Sequence, residues 1–301
     1  MNTAPVILFV YNRPLHTKMT VESLQRNGLA GETHLIVYAD QAKNKAAEVA
    51  VEQTRSYLRT IQGFKNVTIV ERTENYGLAR NIIEGVTEVI TKSGRVIVME
   101  DDLVTSPYFL KFMNDALNVY ENDSKVGHIQ GYCYDLPGLP DTFFTQWIGS
   151  WGWATWKRAW DTFETDGSVL LKRMMADRSL AKGFDFNARY VRMLRHQTKG
   201  KNNSWAVRWH ASCYLNGLVA LNTGRSLVQN IGFDGSGTHC EVSDEFNSDV
   251  FKNPVKVVRL EETEQDRTVR RLIAAHNKKR NSLFARARNR FRNSPFNFLK
   301  K

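Results

Sequence analysis

The chain has 301 residues, 42% hydrophobic and 24% charged, an ordinary composition for a soluble globular protein with room for one large domain or two small ones. It holds no run of about 18 apolar residues, which excludes a transmembrane helix, and Met1 to Pro5 lead directly into an apolar segment without the basic region, apolar core and cleavage site of a signal peptide. Cys133, Cys213 and Cys240 are odd in number and lack CxxC spacing, which argues against a disulfide framework or a zinc site and points to a reducing cytoplasm. Of the 42 Lys and Arg, twelve follow residue 266 with no Asp or Glu among them, so residues 1–266 carry a net charge of −1 and the total of +11 is assigned to a basic tail.

Val6 to Val10 is a continuous β-branched apolar run and reads as a buried strand. It ends at Tyr11-Asn12-Arg13-Pro14, whose proline opens a helix from Leu15 to Arg26, closed by Asn27-Gly28. His34 to Ala39 is a second strand, ending at Asp40, and Lys43 to Ile61 a polar helix. A third strand, Val67 to Glu71, turns through Asn75-Tyr76-Gly77 into a helix from Leu78 to Lys92. Val96 to Met99 is the fourth strand, and Pro107 to Glu121 the next helix. This alternation predicts βαβ units and a mostly parallel central sheet. The strands end in Asn12, Asp40, Glu71 and Glu100, all expected on the sheet edge where open α/β folds bind ligands. There is no GxGxxG and no GxxxxGK[ST], so a dinucleotide fingerprint and a P-loop are unsupported.

Residues 131–165 lose helical periodicity and are rich in Gly, Pro and aromatics; 168–198 and Trp205 to Asn216 read as helical, and Gly217 to Val228 as one or two strands. Gly232 to His239 is a glycine-rich loop, expected to be mobile without a ligand.

Five features carry chemical content. Glu100-Asp101-Asp102 leaves the fourth strand as adjacent carboxylates, which suit a hard divalent cation that clamps a diphosphate, or form a plain acidic strand exit. All seven tryptophans fall between 147 and 209, and Gly149-Ser150-Trp151-Gly152-Trp153 alternates indoles with tiny residues; flat sugar-stacking faces and a Trp-rich core both fit. Arg80, one turn into its helix, suits a phosphate or is a solvated helical arginine. Asp40 could accept from a base or ribose or act as a helix cap, and His239 could ligate a metal or be solvated.

The series strand–Tyr11-Asn12-Arg13-Pro14, strand–Asp40, Asn75-Tyr76-Gly77-Leu78-Ala79-Arg80 and strand–Glu100-Asp101-Asp102 resembles the GT-A glycosyltransferases, with their Rossmann-like core and DxD-type metal motif. It is similar to bacterial family-2 glycosyltransferases and, in its Glu-Asp-Asp variant, to the N-acetylglucosaminyltransferase I branch. The resemblance covers roughly residues 4–240 and implies an α/β GT-A fold with a Trp-rich acceptor region. Residues 1–265 would form the transferase domain, with a nucleotide-sugar half at 1–127 and an acceptor half at 128–265; 266–301 would be a basic tail.

By the same resemblance Asp102 and His239 would hold Mn²⁺ or Mg²⁺. Glu100 and Asp101 would meet the metal waters, ribose or donor sugar, while Tyr11, Asn12, Arg13, Asp40 and Arg80 would line the pocket of a UDP- or GDP-sugar. Trp151, Trp153 and Trp205 would receive a glycan acceptor. Inverting relatives carry an acidic base at the start of the helix after the acceptor loop, but Asn202 to Arg208 has no carboxylate. Either another acid serves, with Asp234, Asp161 and Asp185 as the candidates, or the enzyme retains configuration without such a base. The tail mixes Arg with Phe and Leu and suits an anionic membrane surface, or is simply solvated; nucleic acid is not an expected partner.

The expected protein is therefore a cytoplasmic, membrane-peripheral, metal-dependent hexosyltransferase of bacterial surface polysaccharide or lipopolysaccharide assembly, on the inner face of the plasma membrane. The rivals are a nucleotidyltransferase acting on sugar phosphates and a non-catalytic carbohydrate-binding protein.

Overall fold

The computed structural model describes residues 3–235 and 250–282. In chain order they form β1 (Val6–Val10), α1 (Pro14–Gln25), β2 (His34–Ala39), α2 (Glu48–Leu58), β3 (Asn66–Glu71), α3 (Gly77–Ser93), β4 (Arg95–Glu100), β5 (Leu103–Thr105), α4 (Phe109–Val119), β6 (Val126–Gln130), β7 (Thr142–Thr145), β8 (Trp153–Trp156), α5 (Lys157–Trp160), α6 (Gly167–Met175), α7 (Arg178–Asp185), α8 (Tyr190–Thr198), α9 (Trp205–Leu215), β9 (Val219–Thr223), β10 (Val228–Asn230) and α10 (Arg267–Arg280).

Eight strands make one sheet in the order β3-β2-β1-β4-β8-β6-β9-β7, and β5 pairs with β10 in a separate ribbon. The expectation of a mostly parallel sheet needs correction. Pairs β2–β3, β1–β2, β1–β4 and β6–β9 are parallel, but β8 runs antiparallel to both β4 and β6, and β7 runs antiparallel to β9, so the sheet is mixed. Parallel pairing needs a crossover, and helices supply it through α4; beyond that point the chain returns through irregular connections and lays β7 and β8 in reverse.

Both faces of the sheet are covered, so β1 is buried at every position rather than at alternate ones. Alternation then sorts side chains between two cores. Val6, Leu8 and Val10 face Val21 and Leu24 of α1 and the Phe109–Leu117 side of α4. Ile7 and Phe9 face Ile82 and Val86 of α3 and Trp205 and Trp209 of α9. Pro14 starts α1 at a position that needs no amide hydrogen. Gly94, at φ 75°, ends α3 in the left-handed conformation and donates its N–H to Ile90 O, so β4 begins at the next residue.

Three expected elements differ. The helix expected from Lys43 to Ile61 starts only at Glu48, after a short 3₁₀ turn at Lys45–Ala47 capped by Asn44. Residues 168–198, expected to be helical, are divided into three short helices. The Asp177 carboxylate accepts from Ser179 N–H and starts α7, and Phe186, Asn187 and Arg189 at positive φ separate α7 from α8. The segment assigned to a basic tail contributes α10, whose Val269, Ile273 and Asn277 are buried and whose N-cap Asp266 bonds through its N–H to Phe144 O at 2.8 Å. Residues 283–301, with the rest of that tail, lie outside the described residues.

Candidate functional site

β1 and β4 are adjacent and parallel, with Phe9 opposite Glu100, so the segments that leave them meet at the carboxyl edge of the sheet. Tyr11 N–H donates to Asp101 Oδ2 at 3.3 Å. Two residues on, Arg13 Nη1 donates to Asp102 Oδ2 at 2.9 Å and lies 3.9 Å from Asp101 Oδ1. A third carboxylate arrives from more than a hundred residues away. The β5–β10 ribbon pairs Asn230 with Leu103, Ile231 N–H continues the pairing to Asp102 O at 2.8 Å, and Gly232-Phe233-Asp234 is carried over the acidic turn. There Asp234 lies 3.6 Å from Arg13 Nη2 and 3.1 Å from His16 Nε2. Glycine at 232 allows the close approach: a Cβ there would land on the Asp102 carboxylate and press on the Arg13 guanidinium, and those side chains would have to shift.

The acidic turn is held from behind by buried hydroxyls. Thr20 Oγ1 donates to Asp101 O at 2.9 Å, Thr105 N–H donates to Ser23 Oγ at 3.0 Å, and Asn27 bridges Thr105 Oγ1 and Leu110 N–H. One edge of α1 is thus bonded along its length to the strand that follows the carboxylates, which fixes their positions.

Packing three carboxyl groups here disfavours their ionisation. Burial pushes Glu100 well above the usual carboxylate range, and the charges of Asp102 and Asp101 push it further. Asp101 rises to about 7 through burial and then the Asp102 charge, with Arg13 opposing. Burial also raises Asp102, again against Arg13.

The other expected site residues are distributed more widely. Asp40 is 5% exposed, and its two oxygens accept from Gln41 N–H, Asn75 Nδ2, Tyr76 N–H and Gly77 N–H; it caps α3 from across the sheet edge. Tyr11 Oη accepts from Lys43 N–H at 3.0 Å, so Tyr11 ties the β1 exit to the β2 exit, and Asn12 is half-buried between Tyr11 and Arg13. Arg80 is about half exposed, ion-paired with Glu74 and Glu84 and stacked over Tyr76 at 3.7 Å, an arrangement that gives it the solvated reading.

Of the three tryptophans expected to meet an acceptor, one is at the site. Trp151 meets Phe233 edge-on at 5.7 Å, beside Asp234, and Tyr132 at 4.6 Å. Trp153 is 1% exposed, stacked between His128 and Trp205, and Trp205 is 3% exposed, so both are core residues with no face for a sugar. Asp161 is also displaced from the site. β8 runs toward the opposite edge, where Trp156 pairs with Arg95, and Asp161 follows there, ion-paired with Lys157 at 2.7 Å. Asp185 accepts from Val191 N–H at 3.1 Å and starts α8. His239 lies outside the described residues.

Residues 6–140 match the family model described as glycosyl transferase family 2. No curated protein matches the chain. Among solved structures, the chain is similar to a mannosyltransferase from Pyrobaculum calidifontis in complex with GDP-Man and Mn²⁺, at 14% identity over 71% of this chain and 70% of that one, with a TM-score of 0.40. It is also similar to TarS of S. aureus, at 15% identity over 46% of this chain and 23% of that one, with a TM-score of 0.31.

At this sheet edge the residue that sequence reasoning missed is His16. It lies three residues after Arg13 on the first turn of α1, the spacing that puts both side chains on one helix face. A histidine one helical turn past a strand exit was the available signal. Among the described residues no three His, Cys, Asp or Glu side chains converge to enclose a metal. The donor set still fits a hard cation: Asp101 and Asp102 are neighbouring oxygen donors in a partly dry turn, with Gly232 leaving the space beside Asp102 Oδ2 free of side chain.

Proposed function

We propose that this protein is a metal-dependent glycosyltransferase that moves a sugar from a UDP- or GDP-sugar to a glycan or lipid-linked glycan acceptor. The observation that carries the reading is the meeting of Asp101, Asp102 and Asp234 around Arg13 and His16, at the carboxyl edge of the parallel strands. The family match over residues 6–140 supports it. Asp102, with His239 as a further ligand, would hold Mn²⁺ or Mg²⁺, which would supply a Lewis acid for the charge that develops on the leaving diphosphate.

In this reading the chain's own residues divide the remaining work. Glu100 and Asp101 face the ribose, donor sugar or metal waters. Tyr11, Asn12 and the Asp40 turn line the base, and Arg13 and His16 flank the diphosphate. Asp234, 47% exposed at its side chain, accepts the proton of the acceptor hydroxyl as that oxygen bonds to the anomeric carbon and the bond to the β-phosphate breaks. Trp151 offers the acceptor a ring next to Asp234. The setting is the cytoplasmic face of a bacterial plasma membrane, in surface polysaccharide or lipopolysaccharide assembly. No described helix is long and apolar enough to cross a membrane.

The test is calorimetric binding of a panel of nucleoside diphosphates, with and without Mn²⁺, to the wild type and to Asp102→Ala. Metal-dependent binding of one nucleotide, lost in the variant, is the expected result; no binding of any nucleotide under either condition would sink the transferase reading.

A further inference from the structure

Helices α6, α7 and α8 form a small layer around Leu170, Met174, Phe184 and Leu194. Residues 168–201 hold nine Lys and Arg against two Asp, and both aspartates are consumed at helix starts, Asp177 on Ser179 N–H and Asp185 on Val191 N–H. α10 lies against the same layer, with Arg270 donating to Gly183 O, Asn277 to Phe186 O and Asn187 to Ala274 O, and adds six Lys and Arg and no acid.

Elsewhere on the described surface several basic side chains are matched with acids, Lys18 with Glu22, Lys111 with Asp115, Lys157 with Asp161, and Arg59 with Glu52 and Glu71, while Lys43, Lys45, Lys65 and Lys125 are exposed and form no ion pair with a described residue. In the α6–α8 layer, Lys172, Arg173, Lys182, Arg192, Arg195 and Lys199 are exposed, and none forms an ion pair with a described residue. Apolar side chains stand among them. Val169, Met175 and Met193 are 40–42% exposed, and the Arg195 guanidinium reaches the Met175 sulfur at 3.5 Å, so charge and apolar surface are direct neighbours across α6 and α8.

We propose that α6 and α8, with α10 beside them, form the face through which this protein sits on an anionic lipid bilayer. The unmatched charge complements anionic headgroups, and exposed Met and Val gain by entering the boundary between headgroups and acyl chains. A nucleic acid would meet the same charge but gain nothing from the Met and Val side chains. Stacking on bases needs exposed aromatic rings, and the rings of this layer, Phe184, Phe186 and Tyr190, are buried or half-buried. The face is fixed relative to the carboxylate site. Tyr190 of α8 accepts from Trp147 Nε1 at 2.8 Å, Trp147 stacks on Tyr134, and Tyr134 and Tyr132 pack on toward Trp151. This placement assigns membrane contact to the folded body and stands independently of the sugar-transfer reading.

The experiment is flotation of the full chain with vesicles of phosphatidylcholine alone and of phosphatidylcholine with phosphatidylglycerol, without donor or metal. Binding is expected only to the anionic vesicles, and to weaken with added salt. In Arg192→Glu/Arg195→Glu/Lys199→Glu it should fall about a hundredfold or more, since each basic residue at such a surface contributes about fivefold. Met175→Ser/Met193→Ser should weaken it several-fold, and Lys111→Glu/Lys157→Glu, outside the face, should leave it unchanged. Circular dichroism checks that each variant is folded; if the triple reversal is not, Lys172→Gln/Lys199→Gln serves in its place. Equal binding to both vesicle types, binding unaffected by the α8 substitutions, or a single-stranded oligonucleotide that displaces the protein from vesicles through the same residues would overturn the proposal. Because no nucleotide is present, these outcomes leave the transferase reading untouched.

Discussion

Arg13 Nη1 sits 2.9 Å from Asp102 Oδ2, and the same guanidinium faces Asp101 and Asp234. One cation from the end of β1 thus balances carboxylates from the end of β4 and from the loop after β10. With both side chains of the closest pair only 12% and 16% exposed, removing the arginine leaves carboxylates crowded without a counter-charge. Arg13→Met is expected to lower stability by about 3–5 kcal/mol, the range for removing one partner of a buried pair. A divalent cation should restore part of that loss, because it replaces the missing charge. Thermal melts of wild type and variant, with and without Mn²⁺, check this; a variant whose melting temperature ignores Mn²⁺ speaks against a cation at this turn.

Gly232→Ala tests the close approach of the ribbon to the acidic turn. The added methyl must displace Asp102 or Arg13, at a cost of about 1–3 kcal/mol. Nucleotide affinity should fall at least tenfold in calorimetry, while circular dichroism shows the sheet intact.

Asp234→Asn keeps the shape of the side chain and removes its basicity. Transfer turnover is expected to drop about 10²- to 10⁴-fold, with nucleoside diphosphate affinity changed only a few-fold. A turnover near wild type would assign the proton to another group.

The tryptophans separate core from site within three residues. Trp153→Ala empties a fully buried position between His128 and Trp205 and should cost about 3–5 kcal/mol in chemical denaturation. Trp151→Ala, beside Phe233, should change stability far less and raise the KM for acceptor.

Acid should weaken the fold through two histidines. His128 is held down to about 3 and His210 to about 4, chiefly by burial, the first also by the second's charge. The unfolded chain protonates near pH 6.5, the folded one only near those values, so stability is complete above pH 6.5 and falls as pH drops from there toward 4. At pH 5 each histidine should cost about 2 kcal/mol relative to pH 7.5. Urea midpoints measured between pH 7.5 and 5 should decline, and His210→Gln should flatten the decline by its own share. An unchanged slope in that variant would mean that His210 does not stay neutral in the fold.

The strand ends were legible because buried parallel strands write themselves as unbroken apolar runs, and whatever follows them must lie on one edge: Arg13 after Val10, Asp40 after Ala39, Asp101 after Glu100. What joins that edge from a distance was not legible. Asp234 meets Arg13 only because Asn230 pairs with Leu103, a register that neither three-residue strand announces. The Trp151–Trp153 pair was ambiguous because only Trp153 belongs to β8 while Trp151 lies in the bend before it, and nothing local says where β8 begins. α10 hid in a basic stretch because only Val269, Ile273 and Asn277 face inward, a stripe too narrow to stand out among six cations.

β8 is the one strand that touches both groups of parallel strands, pairing with β4 on one side and β6 on the other. A cut between residues 127 and 128 would fall inside β6 and strip β4 of its neighbour. The first fragment would present Val96, Ile97 and Val98 along an open backbone ladder, ready to pair with another copy of itself. A gene fragment that encodes either side of the cut should yield insoluble material, and the two co-expressed should recover solubility by rebuilding the shared strand.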